Sequence, residues 1–384
     1  MADATEDTRI TFRYLSEPDM IAAGVKNMAA CVDAMEDMFR LLMTGDYRMA
    51  GAGNNSHGAW VMFPEESPFP GMPLDGPDRR FMAMPAYLGG DYQHMGMKWY
   101  GSNVANRDHG LPRSILVFIL NDPDTGAPKA FMSANILSAM RTGAVPGVGA
   151  RYFANPESKV LGIVGPGVMN RTSLMAFMVE CPKIDTVKIK GRSQKSIDAF
   201  IAFVKDEYPN VKNFEVVDSV EAAVRGADVV TIAVSSREKV HRVEDYPLVK
   251  RAWVKPGAFL SLPADTSVDD ALMAGDVVKA VDHWGLYEAW AEELPAPHHA
   301  QAGLIGNYFM DKIEAGELDE SAIVDLGRVI TGQIPGRTDP DQIVLYSVGG
   351  MPVEDVAWAT KVYENAVRDN IGTELLLWDK PAFA

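Results

Sequence analysis

The run Lys159-Val-Leu-Gly-Ile-Val164 leads directly into Gly165-Pro-Gly167-Val-Met-Asn170. The first half has the apolar character of a buried strand. The glycines make a tight turn, and a helix is expected to start near Asn170. A turn of this kind lets the backbone approach a pyrophosphate, with the helix N-terminus directed at its negative charge. Gly165, Gly167, Val168, Met169 and Asn170 are therefore candidate dinucleotide-binding residues. The pattern is Gly-x-Gly-x-x-Asn and lacks the third glycine of the usual fingerprint, so the surrounding chain has to decide the reading.

Downstream, strands expected at 186–190, 214–217, 228–234, 258–262 and 277–281 are interleaved with helices to about 180 and at 193–208 and 220–225. Strands alternating with helices indicate a parallel sheet covered on both faces, which is the context the glycine turn requires. The fold class expected is α/β: a Rossmann-type doubly wound parallel sheet plus an α+β domain. The α+β part comes from the upstream pattern. There, strands at 10–14, 59–63, 81–87, 94–100 and 113–121 are flanked by helices at 17–44 and 137–152. Residues 64–79, rich in Pro and Gly, should form a surface excursion. After 281 the chain is helical over 284–318 with a break at 294–299, then helical at 321–331, extended at 343–346 and helical at 352–370. With the parallel sheet complete by Val281, the last helix should return to the first domain. The expected division is 1–140 together with 335–384, and 141–334 as the dinucleotide domain.

Composition removes several functional classes. The formal net charge of −16 argues against nucleic acid and against an anionic membrane surface, both of which need clustered Lys and Arg. No uncharged apolar run reaches the ~18 residues of a membrane span. The two cysteines, Cys31 and Cys181, have neither disulfide-framework nor metal-ligand spacing. The acidic, polar N-terminus is not a secretory signal, so a cytoplasmic protein is expected.

The second strand of a dinucleotide fold usually ends in an acid that holds the ribose 2′-hydroxyl. Here Gly191 stands at that place, followed by Arg192, Ser193 and Lys195. A cationic, hydroxyl-bearing turn suits a 2′-phosphate, which favours NADP(H), with NAD(H) as the other candidate. Three further charges stand out. Lys98 lies inside an apolar strand, Arg141 in a helix of small apolar residues, and Asp265 after a strand, at the carboxyl end of the sheet. Beside a nicotinamide, Lys98 and Arg141 could clamp a carboxylate while Asp265 exchanges a proton with an amine or imine nitrogen.

The chain resembles the ornithine cyclodeaminase/mu-crystallin family over nearly its whole length. The resemblance is carried by Phe81-Met-Ala-Met-Pro-Ala-Tyr-Leu88, Gly96-Met-Lys-Trp-Tyr100, Asn121-Asp-Pro-Asp-Thr-Gly-Ala-Pro128 and Ala139-Met-Arg-Thr-Gly-Ala144. It continues through Ile163-Val-Gly-Pro-Gly-Val168, Gly226-Ala-Asp-Val-Val-Thr231, Lys255-Pro-Gly-Ala258, Ala264-Asp265, Gly332-Gln-Ile-Pro-Gly-Arg-Thr338, Ser347-Val-Gly-Gly350 and Asp355-Val-Ala357. It implies a homodimer whose first domain binds substrate and dimerises. It also implies a nicotinamide cofactor and cyclodeamination, ketimine reduction or amino-acid dehydrogenation at a C–N bond. By the same resemblance Lys98 and Arg141 hold the substrate carboxylate, Asp265 is the catalytic acid/base with Lys98 beside it, and Thr142 lies near the cofactor. Ser235, after the fourth strand, is a further cofactor candidate. The Pro-Arg pair usual after the first helices is missing. Met49-Ala-Gly-Ala-Gly-Asn-Asn-Ser-His57 and an insertion to Arg80 replace it, leaving Arg48, His57 or Arg80 to take its role. The nearest subgroup takes its label from tyramine oxidase, yet no residues here resemble a copper or quinone site. The alternative to an enzyme is a non-catalytic dinucleotide-binding protein or an accessory component of an amine oxidase system.

Overall fold

The computed structural model describes residues 8–234 and 242–383. The expected fraying of the N-terminus and the candidate Ser235 fall outside these residues. Among the described residues two eight-stranded sheets organise the chain, beside a small two-stranded one.

The first sheet runs Thr373–Trp378, Ile10–Leu15, Pro128–Ser133, Ser114–Asn121, His94–Ser102, Arg80–Leu88, Tyr47–Met49, with Ala59–Met62 also paired to Arg80–Leu88. Its neighbours are antiparallel except for Ile10–Leu15 against Pro128–Ser133. Side chains alternate between the two faces of a strand. Met82, Met84, Lys98, Tyr100 and Ser102 are accordingly buried on one face, while Phe81 and Trp99 lie exposed on the other. The buried face is covered by helix Pro352–Arg368, which also packs on helix Met28–Thr44. Gly96 leaves room for that helix, since a Cβ there would meet Phe118 and Val356.

The second sheet is wholly parallel. Its order is Asn213–Val216, Thr186–Lys190, Val160–Val164, Val229–Ile232, Phe259–Leu262, Ile343–Ser347, Val277–Val281, Ile323–Asp325. Its first five strands have the dinucleotide-fold order, which reverses direction between Val160–Val164 and Val229–Ile232. Such a reversal opens a crevice at the strands' carboxyl ends.

Three expectations are corrected. The sheet is not complete at Val281: Ile343–Ser347 inserts between Phe259–Leu262 and Val277–Val281, buried at every position. The segment 335–384 is therefore divided, its strand belonging to the second sheet and its long helix to the first. Within 321–331 the chain forms the edge strand Ile323–Asp325 before helix Leu326–Ile330, because Asp325 accepts from the Arg328 N–H and starts the helix only there. The edge strand Thr373–Trp378 is not expected from the sequence. Its contiguous Leu375, Leu376 and Leu377 lack the alternation that marks a half-buried strand.

Helices Asn135–Phe153 and Val168–Glu180 cross at very short range. A Cβ at Gly143 would lie 2.4 Å from Thr172, and one at Gly147 would lie 2.7 Å from Ala176. This contact holds Arg141 and Thr142 close to the turn before the second helix. Among the described residues no helix is long and apolar enough to cross a membrane.

Candidate functional site

A cleft of about 830 Å³ lies between the buried face of the first sheet and the carboxyl ends of the second. Lys98, Arg141, Thr142, Asp265, His57, Arg80, Gly167, Val168 and Met169 all line it. Gly165, Asn170, Arg192, Ser193 and Lys195 do not.

The floor of the cleft is the glycine turn. Gly165 has φ +91°, and a Cβ there would sit 2.2 Å from the Ala233 carbonyl oxygen, so only glycine fits. Gly167 is different, with open space where its Cβ would be. It is the extended N-cap of helix Val168–Glu180, which therefore starts two residues before the expected Asn170. Among the described residues no side chain caps this helix, and its first turn holds no acid. Its leading N–H groups thus lack a side-chain partner at a site open to the cleft, which is the donor set that a pyrophosphate requires. The turn fits a dinucleotide on this observation. Asn170 faces inward instead. Its amide donates to the carbonyls of Val164 and Gly165 at 2.9 and 2.8 Å and accepts from Thr231, stapling the turn to the sheet.

Gly191 packs on Pro166, which brings the end of the second strand beside the glycine turn. Arg192, Ser193 and Lys195 follow as an exposed group. The Ser193 hydroxyl is engaged in capping the next helix, accepting from the Ser196 N–H at 3.2 Å. Charge in this turn therefore comes from Arg192 and Lys195.

Lys98 and Arg141 converge on a pair of acids not singled out as site residues from sequence. Lys98 Nζ donates to Asp355 Oδ2 at 2.8 Å and to Ser138 Oγ at 3.2 Å. Arg141 Nε donates to Asp355 Oδ1 at 3.0 Å, and its guanidinium also pairs with Glu354. All four side chains are buried. Burial, then the Arg141 charge, pushes Lys98 down to about 8, while Asp355 holds it up. Burial also opposes the Arg141 charge, but Asp355 and Glu354 outweigh it and keep its pKa above the ordinary arginine value. Burial raises Glu354 to about 7, against the pull of Arg141. Glu354 also accepts the Met351 N–H at 2.8 Å at the start of the long helix. A signal was present in the sequence: two adjacent acids open a helix that is otherwise apolar through Ala359, about two turns.

Asp265 follows strand Phe259–Leu262. Its loop is fixed by the Thr266 N–H on the Gly303 carbonyl at 2.9 Å, and His299 Nε2 bridges the carbonyls of Thr266 and Gly303. Gly303 has to be glycine, because a Cβ there would meet both Tyr246 and Asp265. Burial, then the Asp265 charge, raises the Tyr246 phenol to about 12.

The three candidates for the missing arginine differ. Arg48 points away and donates to the carbonyls of Gly45 and Tyr47. His57 is half-buried in the cleft wall with Nδ1 2.7 Å from the Gly350 carbonyl. That carbonyl can only accept, so the proton sits on Nδ1 and Nε2 remains an acceptor. Burial pushes His57 down to about 3, which leaves it neutral and without charge for a carboxylate. Arg80 pairs with Asp78 at the outer end of the cleft.

The sequence pattern of the ornithine cyclodeaminase/mu-crystallin family matches residues 24–370. The N-((2S)-2-amino-2-carboxyethyl)-L-glutamate dehydrogenase of Staphylococcus aureus is 28% identical over 366 residues, covering 95% of this chain and 98% of that protein. The alanine dehydrogenase of Archaeoglobus fulgidus is 29% identical over 350 residues, covering 91% and 94%. Among solved structures, an archaeal alanine dehydrogenase dimer with bound NAD superposes with a TM-score of 0.74 at 25% identity, covering 96% of this chain and all of that one. The chain belongs to the ornithine cyclodeaminase/mu-crystallin family.

Proposed function

We propose that the chain is an NAD(P)-dependent enzyme acting at the C–N bond of an α-amino acid or the corresponding imine. The observation that carries this is one cleft lined by an uncapped helix N-terminus at Gly167, the cations Lys98 and Arg141, and the carboxylate Asp265. The relatives that are dehydrogenases of amino acids support the same chemistry.

A nicotinamide dinucleotide, held by the N–H groups after Gly167, would supply hydride to the substrate α-carbon or take it up. Lys98 and Arg141 bind the α-carboxylate and fix the α-carbon. Glu354 and Asp355 hold those two cations in place and so act as positioning residues. Asp265 takes the proton from the substrate nitrogen as the C–N bond gains double-bond character, and returns it in the opposite direction. His57, neutral, offers Nε2 as an acceptor for an N–H. Arg192 and Lys195, with no acid at position 191, favour NADP(H) over NAD(H).

A homodimer belongs to the same reading. Val61, Phe81, Trp99 and Ile115 are between 37% and 51% exposed on the outer face of the first sheet. Apolar surface of this extent marks an interface. Sedimentation at micromolar concentration should give twice the chain mass.

The chemistry is tested by following reduced-cofactor absorbance with purified protein, NADPH or NADH, and cyclic or N-alkyl imino acids. Asp265→Asn should lower turnover by at least about 10²-fold, the lower range for a general acid–base group, while leaving dinucleotide binding unchanged. Full activity in that variant would remove Asp265 from the mechanism.

A further inference from the structure

The outer end of the cleft holds a second group of charges that the chemistry above does not use. Asp78 closes the 64–79 insertion with φ +50°, a backbone region that non-glycine residues rarely occupy. Its carboxylate takes Arg80 on one oxygen. The other accepts Arg113 at 2.9 Å and the Ser102 hydroxyl at 2.6 Å, and Ser114 donates to Ser102 at 3.0 Å. One carboxylate is shared by two guanidinium groups, so the group keeps a net positive charge. The Arg80 Nε is buried and makes no hydrogen bond among the described residues. Arg107 lines the cleft at the same end. Five basic side chains (Arg80, Lys98, Arg107, Arg113 and Arg141) line the cleft against three lining acids, Asp78, Asp265 and Glu354, with Asp355 behind Lys98 and Arg141 as a fourth, in a chain of net charge −16.

The two cationic groups are set apart by strand geometry. Lys98 and Ser102 lie on one face of the same strand, and Arg80 is the cross-strand partner of Ser102 as Met84 is of Lys98. Four residues of strand separate the two levels by about 13 Å of backbone. One carboxylate cannot reach both groups, whereas a substrate with two anionic ends can.

We propose that Arg80 and Arg113 form a distal anion subsite, and that the substrate carries a second carboxylate several bonds from the α-carboxylate held by Lys98 and Arg141. This rests on the reading of the inner cleft as an amino-acid site. Guanidinium pairs suit carboxylates because their donors match both oxygens.

The test uses the full chain saturated with NADPH or NADH, and calorimetric affinities for L-2-aminoadipate, L-norleucine and L-2-amino-5-phosphonopentanoate. Wild type should bind aminoadipate at least tenfold more tightly than norleucine. Arg80→Gln and Arg113→Gln should each cut that ratio by at least fivefold. Either variant also disturbs Asp78, so Asp78→Asn serves as the second arm. It releases both arginines and should increase the ratio, whereas a purely structural cluster would lose thermal stability with the ratio unmoved. A wild-type ratio near one, or a ratio unaffected by all three variants, overturns the subsite. A phosphonate bound more tightly than the carboxylate overturns the assignment to a dicarboxylic substrate. Cofactor binding with no preference for aminoadipate would sink the subsite alone. Failure to bind either dinucleotide would sink the reading of the whole cleft, and the subsite with it.

Discussion

Asp355 is the residue on which the inner cleft turns, and Asp355→Asn gives the sharpest test of that arrangement. Its two oxygens separately hold Lys98 at 2.8 Å and Arg141 at 3.0 Å, and its side chain is wholly buried. Removing one partner of a buried ion pair costs about 3–5 kcal/mol, because the other charge stays behind without compensation. Asparagine preserves shape and one acceptor, so the lower end, about 3 kcal/mol, applies. Unfolding entropy near 2.1 cal/mol/K per residue gives about 0.8 kcal/mol/K for a chain of this length, so Tm should fall by about 4 °C. The pH dependence has a definite sign. Lys98 stands at about 8 in the folded protein against an ordinary 10.5, so between those values the folded state binds fewer protons than the unfolded one. Wild-type stability therefore gains a contribution as pH rises across that window. In the variant Lys98 loses the carboxylate that holds its pKa up, so it becomes neutral at a lower pH. The deficit in Tm should be greatest near pH 5–6 and shrink as pH rises. With Lys98 losing its charge, KM for an α-amino acid should rise at least tenfold at neutral pH. Scanning calorimetry and initial rates across pH 5.5–9 read both effects. A Tm within 1 °C of wild type, a KM within twofold, or a deficit that grows with pH would refute the reasoning.

Gly167→Ala should fold with an unchanged Tm, since nothing occupies the space of its Cβ, but should weaken dinucleotide binding at least tenfold by filling the approach to the helix N-terminus. Fluorescence titration with NADPH or NADH measures this, and unaltered affinity would place the pyrophosphate elsewhere. Gly165→Ala should instead destabilise the fold itself, by about 1–3 kcal/mol of backbone strain before the collision with Ala233 is counted, visible as a lowered Tm. Arg192→Ala should weaken NADPH about tenfold, the scale of one charge-assisted hydrogen bond, and leave NADH within twofold. Equal losses for both cofactors would remove the 2′-phosphate role.

The sequence was most legible where local pattern and chemistry coincide. Val160–Val164 and its glycine turn could be read because the strands and helices that follow alternate as a parallel sheet requires, which the incomplete glycine pattern alone could not decide. Lys98 and Arg141 drew notice as charges among apolar neighbours, which burial confirms. Asp355 and Glu354 were not assigned to the site, although both are equally buried, because acids in the first turn of a helix are ordinary capping residues. Only the distance of 257 positions closed between Asp355 and Lys98 reveals their second use. Ile343–Ser347 was recognisable as a strand, but its place in the middle of the parallel sheet depends on a crossover that no local signal encodes. Arg48, Arg80 and His57 could not be separated from sequence, because charge state and direction both come from tertiary burial.

The same burial explains how a strongly acidic chain can present a cationic cleft. Within it, the inner cations are matched by Glu354 and Asp355, so they hold their geometry without a ligand. That matching has a cost: a substrate carboxylate arriving there meets Lys98 and Arg141 already engaged, and adds a negative charge to a balanced set. The inner pair alone is therefore well built for orientation and poorly built for attraction. Attraction has to come from charge that is not fully matched, and in this cleft that charge lies at the rim, where Arg80 and Arg113 share a single carboxylate. Low-dielectric walls carry the field of such a group inward, so the rim can draw in an anionic substrate that the inner pair then aligns against Asp265. Division of labour between rim and floor follows from which of the two charge groups is left unbalanced.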